Sequence, residues 1–289
     1  MMPSHTASVP SSLDQDYGLA ALCQSVDGLW PGFRAQALPS IDSTNSELMR
    51  RARAGDTAPT LLVAQSQTAG KGRMGKSWQS DARTSLAFSL GLTLSPLEWS
   101  GLSLVVGMVL AERLHALRQA QSSPSPQRLG LKWPNDVWTL DAQGQGRKLA
   151  GILVETTTLP QPGQHAPNAR HVVIGIGLNL AEPPPSLADG FATPAAHLQG
   201  LLGQEVAAAE VLRQIVPALL AALRDFAEYG FVPWQEGYAQ WDLLARRNVT
   251  LSDGRSGLAL GVDAQGELLL QTATGTEAIT SGEVSVRPG

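Results

Sequence analysis

Residues 70–78 read GKGRMGKSW, and the reading of this stretch decides the fold. It satisfies two glycine patterns at once, GxxxxGK[ST] over residues 70–77 and GxGxxG over residues 70–75. Both patterns need a strand before and a helix immediately after, so that the helix N-terminus faces bound phosphates. The second condition fails. After Ser77 the chain passes through Trp78 and a polar run, then alternates Leu86, Phe88, Leu90, Leu92 and Leu94 with the period of a strand. Gly70, Gly72 and Gly75 still let successive N–H groups converge, and Lys71, Arg73 and Lys76 add cations to the same segment. The loop therefore reads as an anion-binding turn and not a P-loop, with a solvated basic turn as the alternative.

Working outward, residues 44–54 predict a short helix, with a capping box from Thr44 to Glu47 and a stop at Gly55. The apolar run 60–65 fits a buried strand. Residues 101–119 predict a helix, too long for a strand and carrying Leu104, Met108 and Ala111 on one face. A Ser/Pro linker covers 121–127. Candidate strands follow at 131–140, 148–157 and 171–180, with Gly144 and Gly146 turning the first two into an antiparallel meander. After prolines at 183–185 comes a helix over 205–229. From Arg246 the chain changes to short strands with turns at Asp253-Gly254 and Gln265-Gly266, the spacing of a small β-barrel. The expected organisation is a tail and lead-in over 1–37, polar and disordered to about residue 16, a mixed α/β (α+β) domain over 38–244, and a small β domain over 245–289.

Composition bounds the function. The 289 residues are 43% hydrophobic and 16% charged, enough to build a sizeable core. A net charge of -4 and a pI of about 5.7 argue against broad contact with nucleic acid or anionic membrane. With Cys23 alone there is no intrachain disulfide and no cysteine-rich zinc site, and the scattered histidines show no metal-ligand spacing, so no resident metal is expected. The longest apolar run, 101–111, ends at Glu112 and Arg113, short of the roughly 18 residues a spanning helix needs. No secretion signal precedes it, and a cytoplasmic location is expected.

The loop resembles the GRGRxGRxW loop of biotin protein ligases, and Lys132-Trp-Pro-Asn-Asp136 resembles their KWPND segment. Further stretches agree in the family's order: Ser43-Thr44-Asn45, Gln67, the segment KLAGILVE at 148–155, GIGLN at 175–179 and the closing SGEVSVR at 281–287. The resemblance covers residue 38 to the end. It implies a mixed-sheet biotin/lipoate ligase catalytic domain followed by an SH3-like β-barrel. It also implies an enzyme that activates biotin with ATP and Mg²⁺ as biotinyl-5'-AMP and passes biotin to a lysine of the biotin carboxyl carrier domain of acetyl-CoA carboxylase.

The same resemblance assigns residues. Ser43, Thr44, Asn45 and Gln67 would hydrogen-bond the ureido ring and valerate tail, Gly151 would let backbone approach the ligand, and Gly70, Gly72 and Lys148 would also belong to the biotin site. Lys71 and Arg73 would meet the biotin carboxylate and α-phosphate, and Lys148 the charge that develops during transfer. Arg73, Trp78, Lys132, Asn135, Asn179 and Arg287 would bind nucleotide, and Asp136 would orient or deprotonate the carrier lysine. Trp133 and Pro134 read as packing. Lys71 stands where the family usually has Arg, which keeps the charge but lacks the planar fork.

Three rival readings require features that the sequence lacks or would have had to lose. A lipoate or octanoate enzyme would show an RRxSGGG loop, which is absent. A biotin-sensing repressor would need a winged helix ahead of Pro39, where about 35 residues leave too little room, so no DNA reading is expected. A nonenzymatic ATP-binding module would have lost the basic loop or Lys148. Either a monomer or a homodimer fits the sequence.

Overall fold

The structure is a computed structural model, and it describes residues 11–122, 125–159, 166, 168–183, 194–280 and 286–288, the last two by backbone only. Its larger layer is a seven-stranded mixed sheet in the order β1-β2-β3-β7-β6-β5-β4. The strands are β1 (Arg34–Ile41), β2 (Thr60–Gln67), β3 (Ser85–Leu94), β4 (Arg128–Lys132), β5 (Asp136–Leu140), β6 (Gly146–Thr158) and β7 (Arg170–Asn179). β1 and β2 run parallel, joined through helix α3 (Thr44–Arg53), and every other pair is antiparallel.

The alternation in β3 has a consequence on both faces. Leu86, Phe88, Leu90, Leu92 and Leu94 join the main core, together with Ile174 and Ile176 of β7 and Ile152 of β6. The long helix α4 (Leu102–Ala120) and helix α6 (Ala208–Tyr229) belong to that core. The other face is made of small residues. Ala87 pairs with Gly177 and Gly177 with Gly151, while Ser89 pairs with Gly175 and Gly175 with Leu153. Helix α3 covers part of this face, where its Leu48 and Met49 cluster with Leu62 of β2 and Val173 of β7. The uncovered part is a hollow floored by glycine, and it becomes the site.

Several expectations shift at element ends. Ser43, not Thr44, caps α3: its φ of −159° is extended and its Oγ accepts from Ser46 N, while Glu47 pairs with Arg50 and Arg51 instead of closing a capping box. The expected strand over 131–140 is two strands, because a turn at 133–135 containing the cis Trp133–Pro134 bond folds β5 back on β4. The meander expected from Gly144 is present as the β5–β6 hairpin. Residues 12–16, expected to be disordered, form helix α1 (Ser12–Asp16) behind a capping box of Ser11 and Asp14, and Asp14 Oδ1 accepts from Ala37 N. Helix α2 (Leu19–Val26) follows and buries Leu19, Leu22 and Val26. The helix expected from 205 starts at Ala208, after a short helix α5 (Leu198–Leu202). Pro184 and Pro185 lie outside the described residues.

Helix α7 (Gln235–Trp241) leads into a second, antiparallel sheet of β8 (Asn248–Leu251), β9 (Ser256–Val262), β10 (Leu268–Thr272), β11 (Gly275–Ile279) and β12 (Val286–Pro288), ordered β11-β10-β9-β8-β12. Its turns fall at Gly254 and Gly266, whose φ of 94° and 76° favour glycine. Asp253 and Asp263 support them by accepting from backbone N–H groups. One apolar face, with Val249, Leu251, Ala259, Leu268 and Leu270, joins the main core. Trp133, 1% exposed, donates its indole N–H to Gly266 O at 3.0 Å and ties the β4–β5 turn to this sheet. The α/β class and the small C-terminal β unit are thus as the sequence predicts.

Candidate active site

A cavity of about 490 Å³ opens over the glycine hollow, between the N-terminus of α3, loop 70–78 and the β4–β5 turn. Of the residues expected at the site, all but Gly70 and Arg287 line it. Gly70 closes the base of the loop instead. Arg287 lies on β12, its side chain outside the described residues, while its neighbour Val286 reaches the cavity wall.

One end of the cavity is built from neutral hydrogen-bonding groups. Ser43, Thr44 and Asn45 are 2–3% exposed and occupy the cap and first turn of α3. Asp42 anchors the turn by accepting from Ser43 N–H and pairing with Arg50. The Arg50 hydrogen bonds hold the Asp42 carboxyl down at about 2. Gln67, at the end of β2, accepts from Thr44 N at 2.8 Å. Ser89 bridges Thr44 and Asn45 from beneath, and Asn45 reaches on to Glu155. Neither Ser89 nor Glu155 was assigned a role from the sequence. The signal for Ser89 is a hydroxyl at the middle of the strand, between Phe88 and Leu90, with the other two hydroxyls, Ser85 and Thr93, at or near the strand ends.

The other end is cationic. Loop 70–78 is a hairpin closed by Trp78 N–H to Gly70 O at 2.9 Å and Gly72 N–H to Lys76 O at 2.7 Å. A Cβ at Gly70 would overlap Trp78 O. At the tip, a single 3-10 turn over Arg73–Gly75 puts Met74 and Gly75 in the left-handed region, at φ 54° and 72°. No helix follows, which removes the P-loop reading structurally. Lys71 and Lys76 are exposed, whereas Arg73 turns inward and donates to Asn135 Oδ1 at 3.2 Å. Burial lowers the Arg73 pKa, opposed by the nearby Asp136 charge.

Asp136 and Lys148 meet across the β5–β6 hairpin at 2.7 Å, with side chains only 15% and 25% exposed. Lys148 Nζ also stands 5.6 Å from the centre of the Trp78 ring. Gly151 makes this approach possible, since a Cβ there would lie 2.9 Å from Lys148 Nζ. Gly177 does the same for Trp78, whose ring lies where a Cβ at 177 would be. The buried Trp78 indole N–H has no partner among the described residues. Asn135 is fixed by Nδ2 donating to Ile152 O, and Lys132 lies over the Trp138 ring at 4.8 Å.

The backbone of Lys148 is held by residues 194–196. Lys148 N–H donates to Pro194 O, and Ala196 N–H to Lys148 O. Asn179 commits its amide nitrogen to this clamp, donating to Lys148 O and Ala196 O, so only its oxygen is left for a ligand. No cluster of three His, Cys, Asp or Glu that could hold a metal occurs among the described residues, and no helix among them is long and apolar enough to cross a membrane.

Comparison with known proteins gives the family. Residues 37–179 match the model of the Biotin/lipoate A/B protein ligase family, and residues 247–287 match the Biotin protein ligase C terminal domain. The Bifunctional ligase/repressor BirA of Salmonella typhimurium is 35% identical over 86% of this chain and 73% of its own length. The Biotin--[acetyl-CoA-carboxylase] ligase of Paracoccus denitrificans is 32% identical over 86% of this chain and 98% of its own. Among solved structures, the biotin protein ligase from Aquifex aeolicus in complex with biotin and ATP superposes with a TM-score of 0.69 at 27% identity, covering 89% of this chain and 99% of that one. A cavity with a hydrogen-bonding end and a cationic end, on a sheet and C-terminal module that both match, places this chain in the biotin protein ligase family of ligases.

Proposed function

We propose that the chain joins biotin to a lysine of a biotin carboxyl carrier domain, such as that of acetyl-CoA carboxylase, by way of biotinyl-5'-AMP. The observation that carries this reading is the union, in one cavity, of a neutral polar end and a cationic end that share the glycine floor. Such a pocket takes an elongated ligand with a polar ring at one end and a carboxylate at the other. Ser43, Thr44, Asn45 and Gln67 receive the ureido ring, and Lys71 and Arg73 the carboxylate.

In the first step the biotin carboxylate oxygen attacks the α-phosphorus of ATP, the acyl–phosphate bond forms, and pyrophosphate leaves. The nucleophile is already ionised at neutral pH, so no general base is needed. The barrier lies in bringing two anions together, and positioned cations lower it. Arg73 serves here: its carboxylate neighbour Asp136 and its bond to Asn135 orient the guanidinium toward the cavity. Lys148 leaves Asp136 as charge grows on the transferred group. Trp78, Lys132, Asn135, Asn179 and Arg287 serve the nucleotide, with the Trp78 N–H as an available donor. Mg²⁺ fits as an ion carried by the ATP phosphates, since Asp136 is the lone carboxylate lining the cavity among the described residues and is paired with Lys148.

In the second step the carrier lysine amine attacks the anhydride carbonyl and AMP leaves. That amine must first lose a proton, and Asp136, released by Lys148, is placed to take it. The reading also carries a division near Leu244 between catalytic and C-terminal units and a cytoplasmic location. Incubation with biotin, ATP and a carrier domain, followed by avidin blotting, should label the carrier. Absence of label with a carrier that a related ligase does biotinylate would overturn the reading.

A further inference from the structure

Glu155 ends the segment that contains Lys148 and Gly151, yet the proposed reaction gives it no task. Its Oε2 accepts from Asn45 Nδ2 at 3.0 Å, and Leu153 O stands 3.4 Å from the same nitrogen. Carboxylate and carbonyl oxygens only accept, so the Asn45 amide nitrogen faces β6 and its Oδ1 faces β3. Gly175 makes room for this arrangement. A Cβ there would overlap Asn45 Oδ1, so the amide fills the gap that glycine leaves between its cross-strand neighbours Ser89 and Leu153.

From Asn45 the direction propagates. Ser89 Oγ, in a residue 0% exposed, lies 2.6 Å from Asn45 Oδ1 and 2.7 Å from Thr44 Oγ1. The amide oxygen cannot donate, so the single Ser89 proton goes to Asn45, and the 2.7 Å contact is a hydrogen bond only if Thr44 supplies its proton. Thr44 Oγ1 is also 3.2 Å from Gln67 Oε1, which accepts from Thr44 N–H at 2.8 Å, but the contact with Ser89 is 0.5 Å shorter and, without the Thr44 proton, would set two lone pairs face to face. With its proton committed to Ser89, the Thr44 hydroxyl turns a lone pair to the cavity it lines.

We propose that Glu155 and Ser89, neither of which lines this cavity, are positioning residues that act through Asn45. They fix Thr44 as a hydrogen-bond acceptor and so select a substrate presenting a ring N–H at that point. This deepens the biotin reading, on which it rests, because a cyclic urea carries two N–H donors beside one carbonyl. Reversing one bond in a buried network leaves two lone pairs facing each other, and that cost is what maintains the order. A ligand with oxygen in place of the N–H meets the same mismatch.

The test compares, by calorimetry on the full chain, biotin with its two cyclic carbamate analogues, in each of which ring oxygen replaces one ureido N–H. The unmodified protein should bind biotin at least about 100-fold more tightly than one of the two analogues, as sites built to pair a donor reject its absence. Glu155→Gln, which keeps an acceptor, should hold that ratio. Glu155→Met and Ser89→Ala free the Thr44 proton and should bring the ratio to within about tenfold. In the ligand-free protein, NMR should show the Asn45 side-chain amide protected from exchange, and unprotected in Glu155→Met. A ratio unchanged in both Glu155→Met and Ser89→Ala overturns the proposal, as does an unmodified protein that binds biotin without discrimination. No binding of biotin by the unmodified protein overturns the biotin reading instead, and the amide exchange then decides the proton order by itself.

Discussion

The two ends of the cavity are held by different physics. At the α3 end, Thr44, Asn45, Ser89 and Gln67 are joined by directional hydrogen bonds of 2.6–2.8 Å among buried and half-buried groups. At the loop end, Arg73, Asp136 and Lys148 are arranged by charge, and the closest contact is a 2.7 Å ion pair between partly exposed side chains. Hydrogen bonds fix where each proton points, which suits recognition of a neutral ring. Charges at the loop end can exchange partners without breaking the fold, which suits a reaction in which charge moves. Substitutions should therefore damage binding at the first end and rate at the second.

The largest effect expected is at Gly175. A Cβ there would overlap Asn45 Oδ1, and the neighbouring backbone is part of a continuous ladder from β3 to β6 that cannot shift. Gly175→Ala should expel the Asn45 amide and break its bonds to Ser89 and Glu155, each costing about 1–3 kcal/mol when a buried partner is stranded. Biotin affinity, measured calorimetrically, should fall on the order of 10³-fold, while binding of ATP alone changes little. Equal losses for both ligands would mean that the two ends are not separable.

At the loop end the expected loss is smaller and of another kind. Lys148→Ala should lower the rate of adenylate formation on the order of 10²-fold, as for other single groups aimed at developing charge. Biotin affinity should stay near normal, since the lysine is paired with Asp136 before substrate arrives. Single-turnover release of pyrophosphate reads the rate, and a near-normal value would remove Lys148 from the chemistry.

Both ends were partly legible in the sequence, for different reasons. Loop 70–78 could be separated from a P-loop because the evidence, a strand period after Ser77, is local. Ser43, Thr44 and Asn45 stood out as polar residues at a helix start, although which of them caps was decided by backbone angles that Ser and Thr both satisfy. Glu155 and Gly175 could not be given roles, because these depend on which residue of β6 lies beside which residue of β7. The Asp136–Lys148 pair was hidden by the β5–β6 register, which shifts between Val137 and Trp138. The break in 131–140 was missed because Leu131, Val137 and Trp138 are apolar on both sides of the Trp133-Pro134 turn. The α1 capping box is not legible, because a polar, turn-rich stretch reads the same whether it is solvated or capped.

The smallest effect expected concerns acid, and it falls on the α3 end. His171, on β7, is 2% exposed, and its ring nitrogen Nε2 lies 3.0 Å from where a Cβ at Gly91 would be, next to Leu48 of α3. Burial pushes its pKa down to about 4, against a weak opposing pull from Asp56, and its Nδ1 has no partner among the described residues. The folded state therefore prefers the neutral ring, while the unfolded chain takes up a proton near the ordinary value of about 6.5. Stability from this group is complete above that value, falls as pH drops from about 6.5 toward 4, and levels off below the folded pKa. Between pH 7 and pH 5 the loss should be about 2 kcal/mol. Urea unfolding at the two pH values measures it, and His171→Gln, which cannot take up the proton, should remove most of the difference. Because His171 supports the sheet under α3 and lies away from the Asp136–Lys148 pair, amide exchange at pH 5 should rise first in α3 and in β7 near His171, with the loop end following only on global unfolding. Exchange that rises equally at both ends would show that acid acts on the fold as a whole and not through this histidine.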